Sequence, residues 1–137
     1  MFIKQLSIFV ENKAGGLEPI INTLGKGGIN IRALSIADTT DFGILRIIVD
    51  DDKKAREILK ENGVISKVTD VIAVYIDDCS GGLAAVLDIV AAAGVNIEYM
   101  YAFLGRKEGK AVMVLKADDE AAAEKALLAG GIEIANP

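Results

Sequence analysis

A segment of this chain is written twice. Gly16-Leu17 recurs as Gly82-Leu83, and Gly28-Ile29-Asn30-Ile31 recurs as Gly94-Val95-Asn96-Ile97, in both cases 66 residues further on. Leu6, Ile8 and Val10 likewise map onto Ile72, Val74 and Ile76, and Leu17, Ile20, Ile21 and Leu24 onto Leu83, Val86, Leu87 and Val90. Gly43 aligns with Gly109. Further on, Ala55, Ile58, Leu59, Gly63 and Val64 match Ala123, Ala126, Leu127, Gly131 and Ile132 at an offset of 68, which places a two-residue insertion between Val114 and Ala123. Two copies of one small unit constrain the fold more than any single residue does.

The repeat divides 137 residues into two units, 1–69 and 70–137. At that size a solitary core is marginal, so each unit is expected to bury apolar surface against the other or against a second chain. With 52% hydrophobic and 26% charged residues the chain is globular. Asp88 and the glycines interrupt every apolar stretch before membrane-spanning length, and Lys4, Gln5 and Ser7 do not resemble a signal peptide. A cytoplasmic protein without a membrane partner is the expectation. Residues 1–68 hold ten basic and nine acidic side chains, a net +1, whereas residues 69–137 hold five and eleven, a net −6. Neither half offers the basic stripe that a phosphate backbone requires, so no nucleic-acid partner is expected.

Periodicity supplies the elements. Leu6, Ile8 and Val10 alternate as one face of a strand, and Leu17, Ile20, Ile21 and Leu24 have the spacing of a helix with one buried stripe. Pro19 suits the first turn of that helix, and Gly27-Gly28 ends it. A hairpin follows, with strands over 29–37 and 44–49, then a helix over 53–62 and a short strand over 64–68. The run Asp50-Asp51-Asp52 falls where strand gives way to helix and reads as a helix cap rather than a metal site. Repeated as far as Ala135, the order predicts an α+β fold: two ferredoxin-like βαββαβ units with antiparallel sheets, helices on one face and the other face free to dock.

Such a fold hosts many functions, so the function has to come from a site. The loop Asn12-Lys13-Ala14-Gly15-Gly16-Leu17 and its counterpart Asp78-Cys79-Ser80-Gly81-Gly82-Leu83 place adjacent glycines before a helix whose first amides lack intrahelical partners, a seat for a carboxylate. They also make a tight turn, with or without a ligand. Asn30 and Asn96 open the second strand of each copy, and their amides offer donors and an acceptor to a zwitterion, unless they only bridge backbone groups in a turn. Loop and asparagine are expected at the same end of the sheet, where one small zwitterion would touch both. Tyr99, Tyr101 and Phe103 form an aromatic ladder where the first copy has Ala33, Ser35 and Ala37; it reads as packing before it reads as a ligand box.

The loop, the amphipathic helix and the Gly-Ile/Val-Asn-Ile run, twice in the same order, resemble the ACT domain, a small regulatory module of amino-acid metabolism. The resemblance implies a stand-alone tandem ACT protein that binds a free amino acid where modules pair, with the loop of one and strand residues of its neighbour. Carried over, the ligand-binding candidates are Asn12, Ala14, Gly15, Gly16, Leu17, Asn30 and Ile31, then Asp78, Ser80, Gly81, Gly82, Leu83, Asn96 and Ile97. Ala14 and Ser80 stand where many members have proline, and Asn12 replaces a frequent acidic residue, so the two sites need not be equivalent. A homodimer is implied, and a separate biosynthetic enzyme is a further partner if the chain is a regulatory subunit.

No catalytic, cofactor or metal set is legible. There is no histidine, and the single Cys79 excludes an internal disulfide and a cysteine–histidine metal site. A small ferredoxin-like enzyme using Asp78 or Cys79 is the alternative outside the regulatory class.

Overall fold

A computed structural model describes residues 1–38, 41–105 and 107–136 of the chain. The elements run β1 (Ile3–Glu11), α1 (Glu18–Lys26), β2 (Ile31–Asp38), β3 (Phe42–Val49), α2 (Asp52–Glu61), β4 (Ser66–Asp77), α3 (Gly82–Ala92), β5 (Ile97–Ala102), β6 (Lys110–Ala117) and α4 (Glu120–Ala129). This is the α+β architecture of two ferredoxin-like units. One compact unit spans Lys4–Thr69; the other takes the residues from Asp70 onward together with Met1–Ile3. The boundary falls inside β4, so the strand read as short from the sequence is the start of a twelve-residue one.

In the N-terminal unit β3 lies antiparallel between β1 and β2, with Leu6 opposite Ile47 and Leu34 also opposite Ile47. Leu6, Ile8 and Val10 of β1 and Leu45, Ile47 and Val49 of β3 share one sheet face, against which Ile20, Leu24, Ala55 and Leu59 bring both helices. The period-2 stripe of the strands and the period-3.6 stripe of the helices thus meet in one core. The C-terminal unit repeats this with Ile72, Val74, Leu115, Val86, Val90, Ala123 and Leu127. Its last strand is a stub: Val74 bridges Ile134, and Ala135 N donates to Ala73 O at 2.7 Å.

The helix-free faces differ between the copies. Phe9 of the N-terminal unit is 76% exposed, with Ile44 opposite it. In the C-terminal unit Ala73, Val112 and Ala135 are buried beneath Ile3, Tyr75 and Phe103. The aromatic ladder belongs to this face. Tyr99 and Tyr101 stack at 6.5 Å between ring centroids, and Tyr101 is buried, so the ladder packs as expected of aromatic residues at strand spacing.

Register corrects the repeat. Val10 faces Gly43, whereas Ile76 faces Ala111, and Leu6 and Ile47 correspond to Ile72 and Leu115. β2 and β5 remain 66 residues apart, but β3 and β6 are 68 apart. The two extra residues therefore sit in the β5–β6 hairpin, not between Val114 and Ala123, and Gly43 corresponds to Ala111 rather than Gly109. A hairpin tip accepts extra residues without disturbing the ladder, whereas the strand and helix that follow have a fixed register.

Each aspartate of the acidic run has its own backbone or ion-pair role. Asp51 caps α2 by accepting from Lys54 N at 3.0 Å, as Asp119 caps α4 from Ala122 N at 3.0 Å. Asp52 lies 3.6 Å from Arg56 one turn on, and Asp50 accepts from Asn30 N. Replacing Asp51 or Asp119 by alanine should cost about 1 kcal/mol in urea unfolding. Gly25, inside α1 with open space around a built Cβ, should give the opposite sign: Gly25→Ala gains roughly 0.5–1 kcal/mol.

Candidate ligand-binding site

The turn that follows β1 is built by its two glycines in different ways. Gly15 has φ +80°, a left-handed conformation that costs an L side chain roughly 1–2 kcal/mol. A Cβ on Gly16 would stand 2.3 Å from the carbonyl oxygen of Glu11. The same pair recurs as Gly81, φ +84°, and Gly82, whose Cβ would meet Asp77 O at 1.9 Å. Glycine is thus dictated by the fold in both copies.

The turn also sorts the amides. Gly16 N donates to Lys13 O at 3.1 Å and Gly82 N to Cys79 O at 3.1 Å, so these two expected ligand donors are already engaged. Lys13 N donates to Glu11 O, and Asn12 N to Asp41 O. Among the described residues the amides of Ala14, Gly15 and Leu17 have no protein acceptor, nor do those of Ser80 and Gly81. Neither α1 nor α3 has a side-chain cap, in contrast to α2 and α4.

Above this turn in the N-terminal unit lies a cavity of about 310 Å³, lined by Val10, Glu11, Asn12, Lys13, Leu17, Ile36 and Gly43. Asn12 and Leu17 were legible as candidates; Val10, Glu11, Lys13, Ile36 and Gly43 were not. The end of β1 gives Glu11, the edge strand β2 gives Ile36, and the absent side chain of Gly43 leaves room between them. Lys13 Nζ lies 2.8 Å from a Glu11 carboxylate oxygen, and this hydrogen bond raises the Lys13 pKa. A cation and an anion therefore stand side by side in the lining of this hollow, together with the apolar Val10, Leu17 and Ile36.

Asn30 and Ile31 are elsewhere. The crossover through α1 carries the chain back along the sheet, so β2, antiparallel to β3 as β1 is, begins at the end where β1 began. Ile31 pairs with Val49 at that end, while Gly43 pairs with Val10 and Asp38 at the other, six residues or about 20 Å away. The expectation that loop and asparagine share one end of a unit is overturned. Asn30 uses its backbone: its N–H donates to Asp50 Oδ1 at 3.1 Å and its carbonyl accepts from Asp50 N at 3.2 Å. Asn96 and Asp118 repeat the exchange, both bonds at 3.0 Å. Ile31 and Ile97 pack against the two cores.

The C-terminal unit handles its charges differently. Lys110, opposite Asp77 in register, donates to the Asp77 carboxylate, which raises the lysine pKa. A hollow of about 190 Å³ lies beside this pair, lined by Tyr75, Asp77, Lys110, Gly131 and Glu133 among others, on the flank of α3 nearest the last strand. Cys79 is exposed. The described residues hold no group of three or more metal-ligating His, Cys, Asp or Glu side chains, and no helix among them is long and apolar enough to cross a membrane.

A pair of modules of this kind defines a family. The model of the ACT domain pair matches residues 1–135, and the chain belongs to that family. The crystal structure of a Bacteroides thetaiotaomicron protein is similar over 98% of this chain and 92% of its own, at 39% identity and a TM-score of 0.92. The regulatory subunit of aspartate kinase from Thermus thermophilus shares the fold over 93% of this chain and 91% of its own, at 18% identity and a TM-score of 0.68. That of Thermus flavus does so at 19% identity and a TM-score of 0.63, covering 93% of this chain and 92% of its own. No curated protein matches the chain.

The backbone role of Asn30 can be separated from any side-chain role. Asp50→Ala and Asp118→Ala should each lower stability by about 1 kcal/mol in urea titrations, and Asn30→Ala should leave it within about 0.5 kcal/mol.

Proposed function

We propose that the chain is a regulatory or sensor protein rather than an enzyme, a pair of ACT modules at residues 1–69 and 70–137 that takes up a free amino acid in the cytoplasm. The observation that carries this reading is the cavity over the first loop. Unpaired amides of Ala14 and Gly15 adjoin it in sequence, and Glu11 and Lys13 line it together with Val10, Leu17 and Ile36. An α-amino acid carries the matching set of carboxylate, ammonium and side chain.

A homodimer completes the site. Among the described residues β2 pairs with β3 alone, and its Leu34 and Ile36 are 36% and 51% exposed, which leaves an apolar edge strand open to another chain. A second copy lying antiparallel along β2 would bring its Asn30 and Ile31 to the loop of the first. The 20 Å that separates loop and asparagine within one unit is what makes such a partner necessary. In this reading Asn12, Ala14, Gly15 and Leu17 act from one module and Asn30 and Ile31 from its neighbour. Asp78, Ser80, Gly81, Leu83, Asn96 and Ile97 are the sequence counterparts in the second copy, and Gly16 and Gly82 shape the turns.

A thermal-shift screen over the twenty amino acids tests the reading. A ligand of the native state at one hundred times its dissociation constant stabilises it by about 2.7 kcal/mol. A folded dimer that shifts with none of the twenty would count decisively against amino-acid binding, and a monomer at micromolar concentration by light scattering would remove the shared site. One observation favours a second reading, a regulatory subunit of a separate enzyme: the chain spans nearly the whole of the aspartate kinase regulatory subunit it resembles in fold. Co-purification of a biosynthetic enzyme from the native host, released by the ligand, would establish that variant.

A further inference from the structure

The two copies have diverged at the positions that form the cavity, and the divergence has a direction. By register, the lining Val10, Glu11, Asn12, Lys13, Leu17, Ile36 and Gly43 corresponds to Ile76, Asp77, Asp78, Cys79, Leu83, Ala102 and Ala111. Asn12 becomes Asp78, which adds a carboxylate to the second loop, whereas three other changes remove what the first cavity offers. Lys13 becomes Cys79, so the cation of the loop is lost. Ile36 becomes Ala102, which removes the outer apolar wall. Gly43 becomes Ala111, which puts a methyl group where the N-terminal unit has space; a Cβ at Gly43 would already lie 3.5 Å from Ile36 Cγ1 and 3.2 Å from Ala37 O.

The anion changes hands as well. In the N-terminal unit Glu11 pairs with Lys13 of the loop itself, both more than half exposed, and Glu11 faces Phe42 across the ladder. In the C-terminal unit the residue opposite is Lys110 in place of Phe42, and it holds Asp77 in an ion pair. Asp77 is thereby engaged from a neighbouring strand, as Glu11 is engaged from its own loop, and only in the first copy does the pairing cation belong to the loop that edges the cavity.

Resting on the amino-acid-binding reading above, we infer that the N-terminal copy alone is the ligand site and that it selects an amino acid with an uncharged aliphatic side chain of valine to leucine size. The walls Val10, Leu17 and Ile36 contribute no polar side-chain group, so a charged side chain placed there would lose its hydration without a partner. A hollow of about 310 Å³ stands at the small end of ligand pockets, which suits a small amino acid. The ammonium meets Glu11, and the carboxylate meets Lys13.

Isothermal titration of the full chain with L-valine, L-isoleucine, L-leucine, L-aspartate, L-lysine and L-phenylalanine tests the inference. The expected result is one site per chain, occupied by the three aliphatic amino acids and at least about tenfold more weakly by the other three. Ile36→Ala, an exposed position whose loss leaves the core intact, should weaken binding about tenfold or more. Lys13→Gln should weaken it too, whereas Asp78→Asn in the second copy should not. Two sites per chain, tightest binding of aspartate, lysine or phenylalanine, or sensitivity to Asp78→Asn with indifference to Ile36→Ala would each overturn the inference while leaving amino-acid binding in place. Binding of no amino acid in the wider twenty-member screen would bring down both.

Discussion

The turn between the first strand and first helix of each copy depends on one close approach. Gly16 lies against the carbonyl of Glu11, and Gly82 against that of Asp77, so tightly that neither position has room for a side chain. That contact throws the chain off the end of the strand and sends it back across the sheet as a helix. The apolar stripe of the helix then meets the apolar stripe of the strands. It also fixes where a cavity can form, because the helix starts, uncapped by any side chain, beside the last residues of the strand it has just left. Fold and candidate site thus share a cause, and a glycine pair serves the fold whether or not a ligand is ever bound.

The same economy explains why the asparagines mislead. A Gly-aliphatic-Asn-Ile run kept in both copies invites a ligand role. Its local work is to exchange two backbone hydrogen bonds with the aspartate that follows the third strand, Asp50 in one copy and Asp118 in the other. Duplication keeps structural residues as readily as functional ones. Only a partner across an edge strand would give the Asn30 side chain a place at the loop.

Divergence between copies is more informative than identity. Where the first unit exposes Phe9 on its helix-free face, the second covers that region with Ile3, Tyr75 and Phe103. Where Glu11 pairs within its own loop, Asp77 is held from the neighbouring strand by Lys110. Two modules with a common core can therefore present different surfaces, since the stripes that build the core occupy alternate positions and leave the others free to change.

Periodicity alone was enough to place Leu6, Ile8 and Val10 on one strand face, Leu24 and Leu59 inside, and the order of strands and helices, because a side chain's direction follows from its position along a regular element. The glycine turn was legible for the same reason: the demand it answers is local. Register and distance were not. That Ile36 and Gly43 close a cavity with Leu17, that Gly43 corresponds to Ala111, and that Asn30 lies about 20 Å from the loop of its own unit all depend on which residues of separate strands stand opposite one another. Those pairings are made by hydrogen bonds between segments distant in the chain, and a repeat with an insertion in one hairpin carries no local mark of them.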